Sequence, residues 1–585
     1  MALDQKRKRQ DACRWSSIIT HHELDLTPLM HLLAVTIAAL ACCAAALNSD
    51  GVAFPPRSEI PEKRVAIIGA GAAGSSAAFH LASYANASGV PVNVTVFERN
   101  PYIGGRTTTV NAWNDPSMPV ELGGSIFVSV NHILVNASRQ FNLTSKSHQQ
   151  RATDDDLELG VWDGKAFVLL MKTENSWWDY AKLFWKYGWA PLKANRLMKE
   201  TVAKFLRLYD EPVFPWKSLN DAAEGVGLLE VTGVTGQQFL MTNKVGDKFA
   251  KEVVQASTRV NYASNLGLIH GLETMVCLAT NGAMAVDGGN WQIFANMLKS
   301  SNSTVRLSTS VASIRKQPDN TYFLETQGET VVFDNIILAA PFQFSGLVID
   351  PPLEHVPDQI PYVGLHVTLF ASPHRLDPRA FNMALGKVVP QVVLTVLPEG
   401  EDHGSDPDGQ GSPGFFSISI VDTGYNPHTG RSEHIYKIFS AQKVGPAFLG
   451  RILGIEDLET LVGNATAEQG IPVTPGGPIT WIHQHFWHSY PYEYPRVTFE
   501  ELQLDEGLWY TSGIESFIST METSALMGKN VARLVVDQWV KIEKKGAKKA
   551  DLEDCSHESK WLASEQRLGI HKEGGGEQRP LMAAM

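Results

Sequence analysis

Three glycines and a carboxylate are the residues of this chain best spaced to do chemistry. Gly69, Gly71 and Gly74 follow the apolar run Arg64-Val65-Ala66-Ile67-Ile68 in a G-x-G-x-x-G pattern, and Glu98 closes the next strand-like run, Val92-Asn93-Val94-Thr95-Val96-Phe97. This arrangement suits a dinucleotide. The first glycine permits a tight turn, the second lets the backbone approach a pyrophosphate, and the third lets the following helix pack on the sheet. Glu98 stands where a carboxylate accepts from the adenosine ribose hydroxyls. Downstream, Glu98-Arg99-Asn100-Pro101-Tyr102-Ile103-Gly104-Gly105-Arg106 adds a second glycine turn and positive charge beside the phosphates.

Two further groupings weigh less. His483, His485 and His488 alternate within an aromatic run, which predicts polar-face histidines on a strand; with no carboxylate nearby to complete a ligand set, no metal site is expected. Tyr490, Tyr492 and Tyr494 alternate with Pro491, Glu493 and Pro495, either as an aromatic wall facing a cofactor or as a packed, proline-stiffened loop.

Positioning the glycines requires a buried strand ending at Ile68 and a helix over Ser75 to Tyr84 with its positive dipole end at the phosphates. Val331 to Pro341 reads as another buried strand with a proline stop. Nucleotide-binding character recurs in three pieces, at 62–150, 276–344 and 501–543. The insertions at 151–275 and 345–500 are left to carry binding specificity. In the first insertion Trp177, Trp178, Ala181, Phe184 and Trp185 share one helical face and Asp179, Lys182 and Lys186 the other. That face is read as core packing, as the wall of an apolar channel or as a membrane contact. Residues 399–414 read as a solvated loop, and the charged, Gly-containing stretch 544–585 as an unstructured tail.

The chain has 585 residues, 44% hydrophobic and 19% charged, which suits a globular protein of two or more domains. Its net charge of −12 argues against a nucleic-acid binder. Residues 1–46 run from Lys6-Arg7-Lys8-Arg9 through an apolar stretch to Ala44-Ala45-Ala46, the order of a secretory signal cleaved after Ala46, with an uncleaved anchor as the alternative. Sequons at Asn86, Asn136, Asn142, Asn302 and Asn464 fit a glycosylating compartment, while Asn93 is expected to stay bare because a buried strand gives a glycan no room. Past the signal only Cys277 and Cys555 remain, read as two free thiols with Cys277 buried.

The glycine turns, with Val120-Glu121-Leu122-Gly123-Gly124-Ser125, resemble the FAD-containing amine oxidase and desaturase superfamily. Arg259-Val260-Asn261-Tyr262, Ala285-Val286-Asp287-Gly288-Gly289-Asn290, Gly513-Ile514-Glu515 and Met521-Glu522-Thr523-Ser524-Ala525 resemble, in order, the prenylcysteine oxidase (prenylcysteine lyase) family, over about 62 to 540. The resemblance implies an α/β fold, in which a Rossmann-like FAD-binding domain is interleaved with an α+β substrate-binding domain. It places Gly69, Ala70, Gly71, Gly74, Glu98, Arg99, Gly105, Arg106, Gly124, Val311, Gly513 and Glu515 around FAD, and Tyr262 and Trp177 beside substrate. No catalytic residue is assigned. The implied reaction oxidises farnesylcysteine or geranylgeranylcysteine with water and O2 to cysteine, prenyl aldehyde and hydrogen peroxide, in a lysosomal, vacuolar or secreted setting. An amine or polyamine oxidase and a non-catalytic lipid-binding flavin fold are the rivals.

Overall fold

In the computed structural model, the residues described are 61–147, 159–172, 177–401, 409–455 and 476–568; the signal segment 1–46 and Asn464 lie outside them. The apolar run before the fingerprint forms strand Lys63–Ile68, at the centre of a six-stranded sheet. It pairs in parallel with Val92–Phe97 on one side and Asn335–Leu338 on the other. Beyond these lie Thr304–Arg306 at one edge, and Leu508–Tyr510 followed by antiparallel Gln503–Asp505 at the other. Strands from 62–150, 276–344 and 501–543 therefore build one sheet. A seven-stranded sheet draws on the two insertions, in the order Trp481–Pro491, Tyr362–Ser372, Ser432–Ser440, Ser417–Tyr425, Val392–Thr395, Leu159–Trp162, Phe167–Met171. Its core includes Phe370 stacked on Tyr436 at 4.7 Å between ring centroids.

Glycine governs how the helices meet. The fingerprint helix, Ala72–Ser88, packs against the C-terminal helix, Met521–Leu568, so closely that a Cβ on Gly528 would lie 2.2 Å from the Ala73 carbonyl oxygen. Ser76 Oγ also donates to the Ala525 carbonyl at 2.6 Å.

Several expectations change. The run 331–341 divides at Asp334 into Thr330–Phe333, in a separate four-stranded sheet, and Asn335–Leu338. Asp334 causes the break by accepting from Arg64 N and Arg64 Nη2, each at 2.7 Å. Asn93 is exposed, because it pairs with Arg64 near the open start of its strand, so burial gives no reason for it to escape glycosylation. The first part of the expected tail is helical as far as Leu568: between Lys544 and Leu568 the chain holds no proline and is rich in Lys, Glu, Ala and Leu, all good helix formers. The loop at 399–414 turns inward at its end, where Gly409 is buried.

Candidate dinucleotide and redox site

The fingerprint glycines differ in what surrounds them. Gly69 has φ +110° and a Cβ there would stand 2.7 Å from Ala339 O; one on Gly74 would stand 1.9 Å from Gly69 O. Both are closed by backbone. Gly71 is the exception, since a Cβ there would meet nothing nearer than Gly104 O and Gly105 Cα at 3.9 Å. It faces the space that a pyrophosphate would fill. As N-cap of the fingerprint helix it brings no side-chain acceptor, and no acidic residue lies in the first turn, so the leading N–H groups suit an anion. The second glycine turn closes over this site through Gly104 N to Ala70 O at 2.9 Å, and Gly105, with φ +60°, would place a Cβ 3.3 Å from Gly71 Cα.

Glu98 is buried and held from two sides: Oε2 accepts from Ala70 N at 2.9 Å, and Oε1 accepts from Asn100 N and Nδ2 at 2.8 Å each. A carboxylate has about four lone-pair sites, so one on Oε2 remains for a ribose hydroxyl. Thr309 N donates to Glu98 O at 2.8 Å, which brings the chain leading to buried Val311 alongside that end. Arg99 is exposed and donates to Phe344 O at 2.9 Å.

At the other end, Arg106 Nη2 meets Glu515 Oε1 at 2.7 Å, its Nη1 donates to Ser489 O, and Tyr362 Oη donates to Glu515 Oε2 at 3.1 Å. Glu515 lies in the buried one-turn helix Ser512–Ser516, where a Cβ on Gly513 would come 2.8 Å from Glu500 Cβ. Gly124 sits under Met521, whose sulfur would be 2.9 Å from an added Cβ. Tyr262 donates to Ser519 O at 3.0 Å and meets Tyr490 edge-on at 4.9 Å. Trp177 begins helix Trp177–Tyr187, but its side chain lies outside the described ones.

Several motif residues prove to be clasps between distant segments. Arg259 is fully buried and donates to Thr395 Oγ1, Asn265 Oδ1 and the carbonyls of Gly409 and Gln410; burial pushes its pKa down to about 9. Asn290 donates its N–H to Glu121 Oε1 at 2.7 Å and Nδ2 to Gly124 O at 3.0 Å. Glu522 accepts from Ile133 N and Leu134 N, capping the helix His132–Gln140.

Two features escaped the sequence reading. Lys437 is buried in strand Ser432–Ser440 and donates to Glu121 O at 2.9 Å and Ser125 Oγ at 2.8 Å, beside the Gly123-Gly124 turn. Burial lowers its pKa to about 8. A lysine among the apolar residues of Ile435-Tyr436-Lys437-Ile438-Phe439 was the available signal. Behind Tyr262, the side chains of His270, Glu273 and Glu493 converge within 4.8 Å of one another, all buried. Burial raises Glu273 to about 8 and Glu493 well above the carboxylate range, and lowers His270 to about 3. Neutral His270 accepts the Glu273 N–H on Nδ1 at 3.1 Å, leaving the proton on Nε2 and no lone pair there for a cation. Among the described residues, His483, His485 and His488 join no carboxylate in such a group; the first two stack and the third lies on Phe344. Cys277 is a buried free thiol.

The sequence model of the family described as prenylcysteine lyase matches residues 170–548, more than half of the chain. The chain belongs to the prenylcysteine lyase family. A model of the NAD(P)-binding Rossmann-like domain matches residues 67–137, around the fingerprint. Among curated relatives, farnesylcysteine lyase of Arabidopsis thaliana is 28% identical, covering 84% of this chain and 91% of that protein. Prenylcysteine oxidase 1 of Bos taurus is 27% identical over 82% and 89%. Solved structures of a putrescine oxidase triple mutant (TM-score 0.51, 14% identity) and of cyclohexylamine oxidase from Brevibacterium oxydans (0.50, 15%) each cover 82% of this chain and all of their own. At that identity they show that this prenylcysteine lyase family member shares their fold.

Proposed function

We propose that this chain is an FAD-dependent oxidase that cleaves the thioether of prenylcysteines, farnesylcysteine and geranylgeranylcysteine, using water and O2. The observation that carries the reading is the cradle around Gly71, formed by the two glycine turns beside a sheet built from all three nucleotide-binding segments, in a chain of this family. When bound, FAD supplies a two-electron acceptor for the carbon joining sulfur to the allylic chain, with O2 as the final acceptor. Water adds to that carbon, the C–S bond breaks, and cysteine, prenyl aldehyde and hydrogen peroxide leave.

The protein's share is binding, orientation and proton handling. The N–H groups after Gly71 receive the pyrophosphate, and Glu98 with the chain at Val311 receives the adenosine end. The ion pair of Arg106 and Glu515, tied to Tyr362, fixes the wall at the reacting end. Above about pH 8, where its proton is lost, Lys437 would use both N–H groups on Glu121 O and Ser125 Oγ and keep one lone pair to accept a proton from attacking water. The rings of Tyr262 and Trp177 are proposed to line the prenyl chain's path. A signal at 1–46, residence in a lysosomal or vacuolar lumen or secretion, and glycans at Asn86, Asn136, Asn142, Asn302 and Asn464 belong to the same proposal; exposure of the first four supports it.

Anaerobic mixing of the purified holoenzyme with farnesylcysteine should bleach the flavin absorbance, and admission of O2 should restore it with one peroxide and one prenyl aldehyde per turnover. Bleaching by polyamines and not by prenylcysteines would overturn the substrate assignment. A flavin that neither class bleaches would overturn the enzyme reading.

A further inference from the structure

The most exposed aromatic cluster among the described residues lies in the first insertion. Helix Trp177–Tyr187 and helix Ala190–Leu206 meet at an elbow where Gly188 takes φ +60°. The inner side is anchored, since Tyr187, Ala190, Ala194 and Met198 are buried with Leu240, Phe249 and Met275. The outer side presents Phe184, Trp185, Trp189 and Leu192, with Trp185 86% exposed and Trp189 63% exposed. Phe184 and Trp189 pack edge-on at 5.2 Å, so they form a patch and not scattered side chains. Contiguous exposed apolar surface of this kind marks an interaction site.

The surrounding charge identifies the partner. Between 180 and 199 the chain carries five basic residues, Lys182, Lys186, Lys193, Arg196 and Lys199, and no acidic one, within a protein of net charge −12. Lys186 pairs with Glu252 and Arg196 with Glu200, while Lys193 donates to the Lys244 carbonyl and keeps its charge. Trp and Phe beside Lys and Arg form the composition that settles at the boundary between lipid headgroups and acyl chains. A second copy docked face to face would set two basic clusters against each other, which costs affinity. No helix among the described residues is long and apolar enough to cross a membrane, so this contact would be peripheral.

We propose that the elbow at residues 184–192 seats on a lipid bilayer bearing anionic headgroups, with the four apolar side chains inserted at the boundary and the basic side chains against the headgroups. The inference rests on this surface alone and does not depend on the reaction catalysed. The test is flotation of the flavin-loaded full chain with vesicles of phosphatidylcholine alone and with roughly one third phosphatidylserine added, an anionic lipid that attracts basic surface segments. Wild type should float at least tenfold more with the anionic vesicles. Trp185→Ser with Trp189→Ser should lower that binding at least tenfold while leaving the thermal midpoint and far-UV circular dichroism unchanged. Lys193→Glu with Arg196→Glu should remove the preference for phosphatidylserine. Hydrogen exchange with vesicles present should slow at 180–200. Equal binding by wild type and the tryptophan variant, binding without protection at 180–200, or dimerisation in solution that the same variants abolish would each overturn the proposal.

Discussion

Replacing Glu273 by glutamine tests the reading of the buried cluster behind Tyr262. Burial is the main reason that Glu273 titrates near 8 and not near the ordinary 4.5, and Tyr262, Cys277, His270 and Glu493 are the titratable groups around it, with Arg496 acting on the last two. Because the folded pKa is raised, the folded chain keeps a proton that the unfolded chain releases. Stability from this group is therefore whole below about pH 4.5 and lost as pH climbs through about 8. Each tenfold preference for the proton in the folded state is worth about 1.4 kcal/mol, so a group held protonated to about pH 8 is worth several kcal/mol as an upper bound. Relaxation and water entry on ionisation reduce that, so we expect at least about 2 kcal/mol. Glutamine copies the shape of the protonated acid and cannot ionise. Urea unfolding at pH 5, 6.5 and 8, with FAD at one fixed excess, should show Glu273→Gln close to wild type at pH 5 and progressively more stable than wild type as pH rises. A stability difference that is the same at pH 5 and pH 8, or a variant that loses ground as pH rises, would refute the reasoning.

The glycines should separate folding from loading. Gly71→Ala adds a Cβ that meets Gly104 and Gly105 only at ordinary contact distance, so its apoprotein should keep the wild-type thermal midpoint while purifying with less flavin absorbance; Gly74→Val, pressed against Gly69 O, should be destabilised by about 3 kcal/mol or more. Lys437→Met should lower the rate of flavin reduction and reoxidation cycles by about 10²-fold at pH 8, and should abolish a rise in kcat as pH passes about 8 in the wild type. Arg259→Met strands buried acceptors on Thr395, Asn265, Gly409 and Gln410, and should cost about 3 kcal/mol in urea unfolding while the variant, once folded, still binds FAD.

What the sequence disclosed well was local. The strand to Ile68, the three glycines and Glu98 lie within a few turns of one another, and each has a backbone reason that operates inside that span. Arg259, Asn290 and Glu522 were visible as motif residues, yet their work is to tie segments that lie far apart in the chain, and no pattern along one segment reports a partner in another. The pair Glu273 and Glu493 was missed for the same reason, being 220 positions apart and joined only by the fold. Lys437 sat in plain view within an apolar strand and escaped because strand alternation explains it equally well. The break at Asp334 shows the reverse case, in which one polar side chain captured by Arg64 divides a largely apolar run. Where burial was inferred from strand membership alone, Asn93 showed that a strand's first residues need not be covered.

The order of strands in the six-stranded sheet also sets a timetable. During synthesis the chain releases Lys63–Ile68 and Val92–Phe97 early, but the edge formed by Gln503–Asp505 and Leu508–Tyr510 comes roughly 400 residues later, about 20 to 80 s at 5–20 residues per second. Through that interval the early strands and the glycine turn have no finished edge, no Glu515 for Arg106 and no C-terminal helix against the fingerprint helix. A chain that ends before Tyr510 would therefore lack this edge strand, Glu515 and the C-terminal helix together.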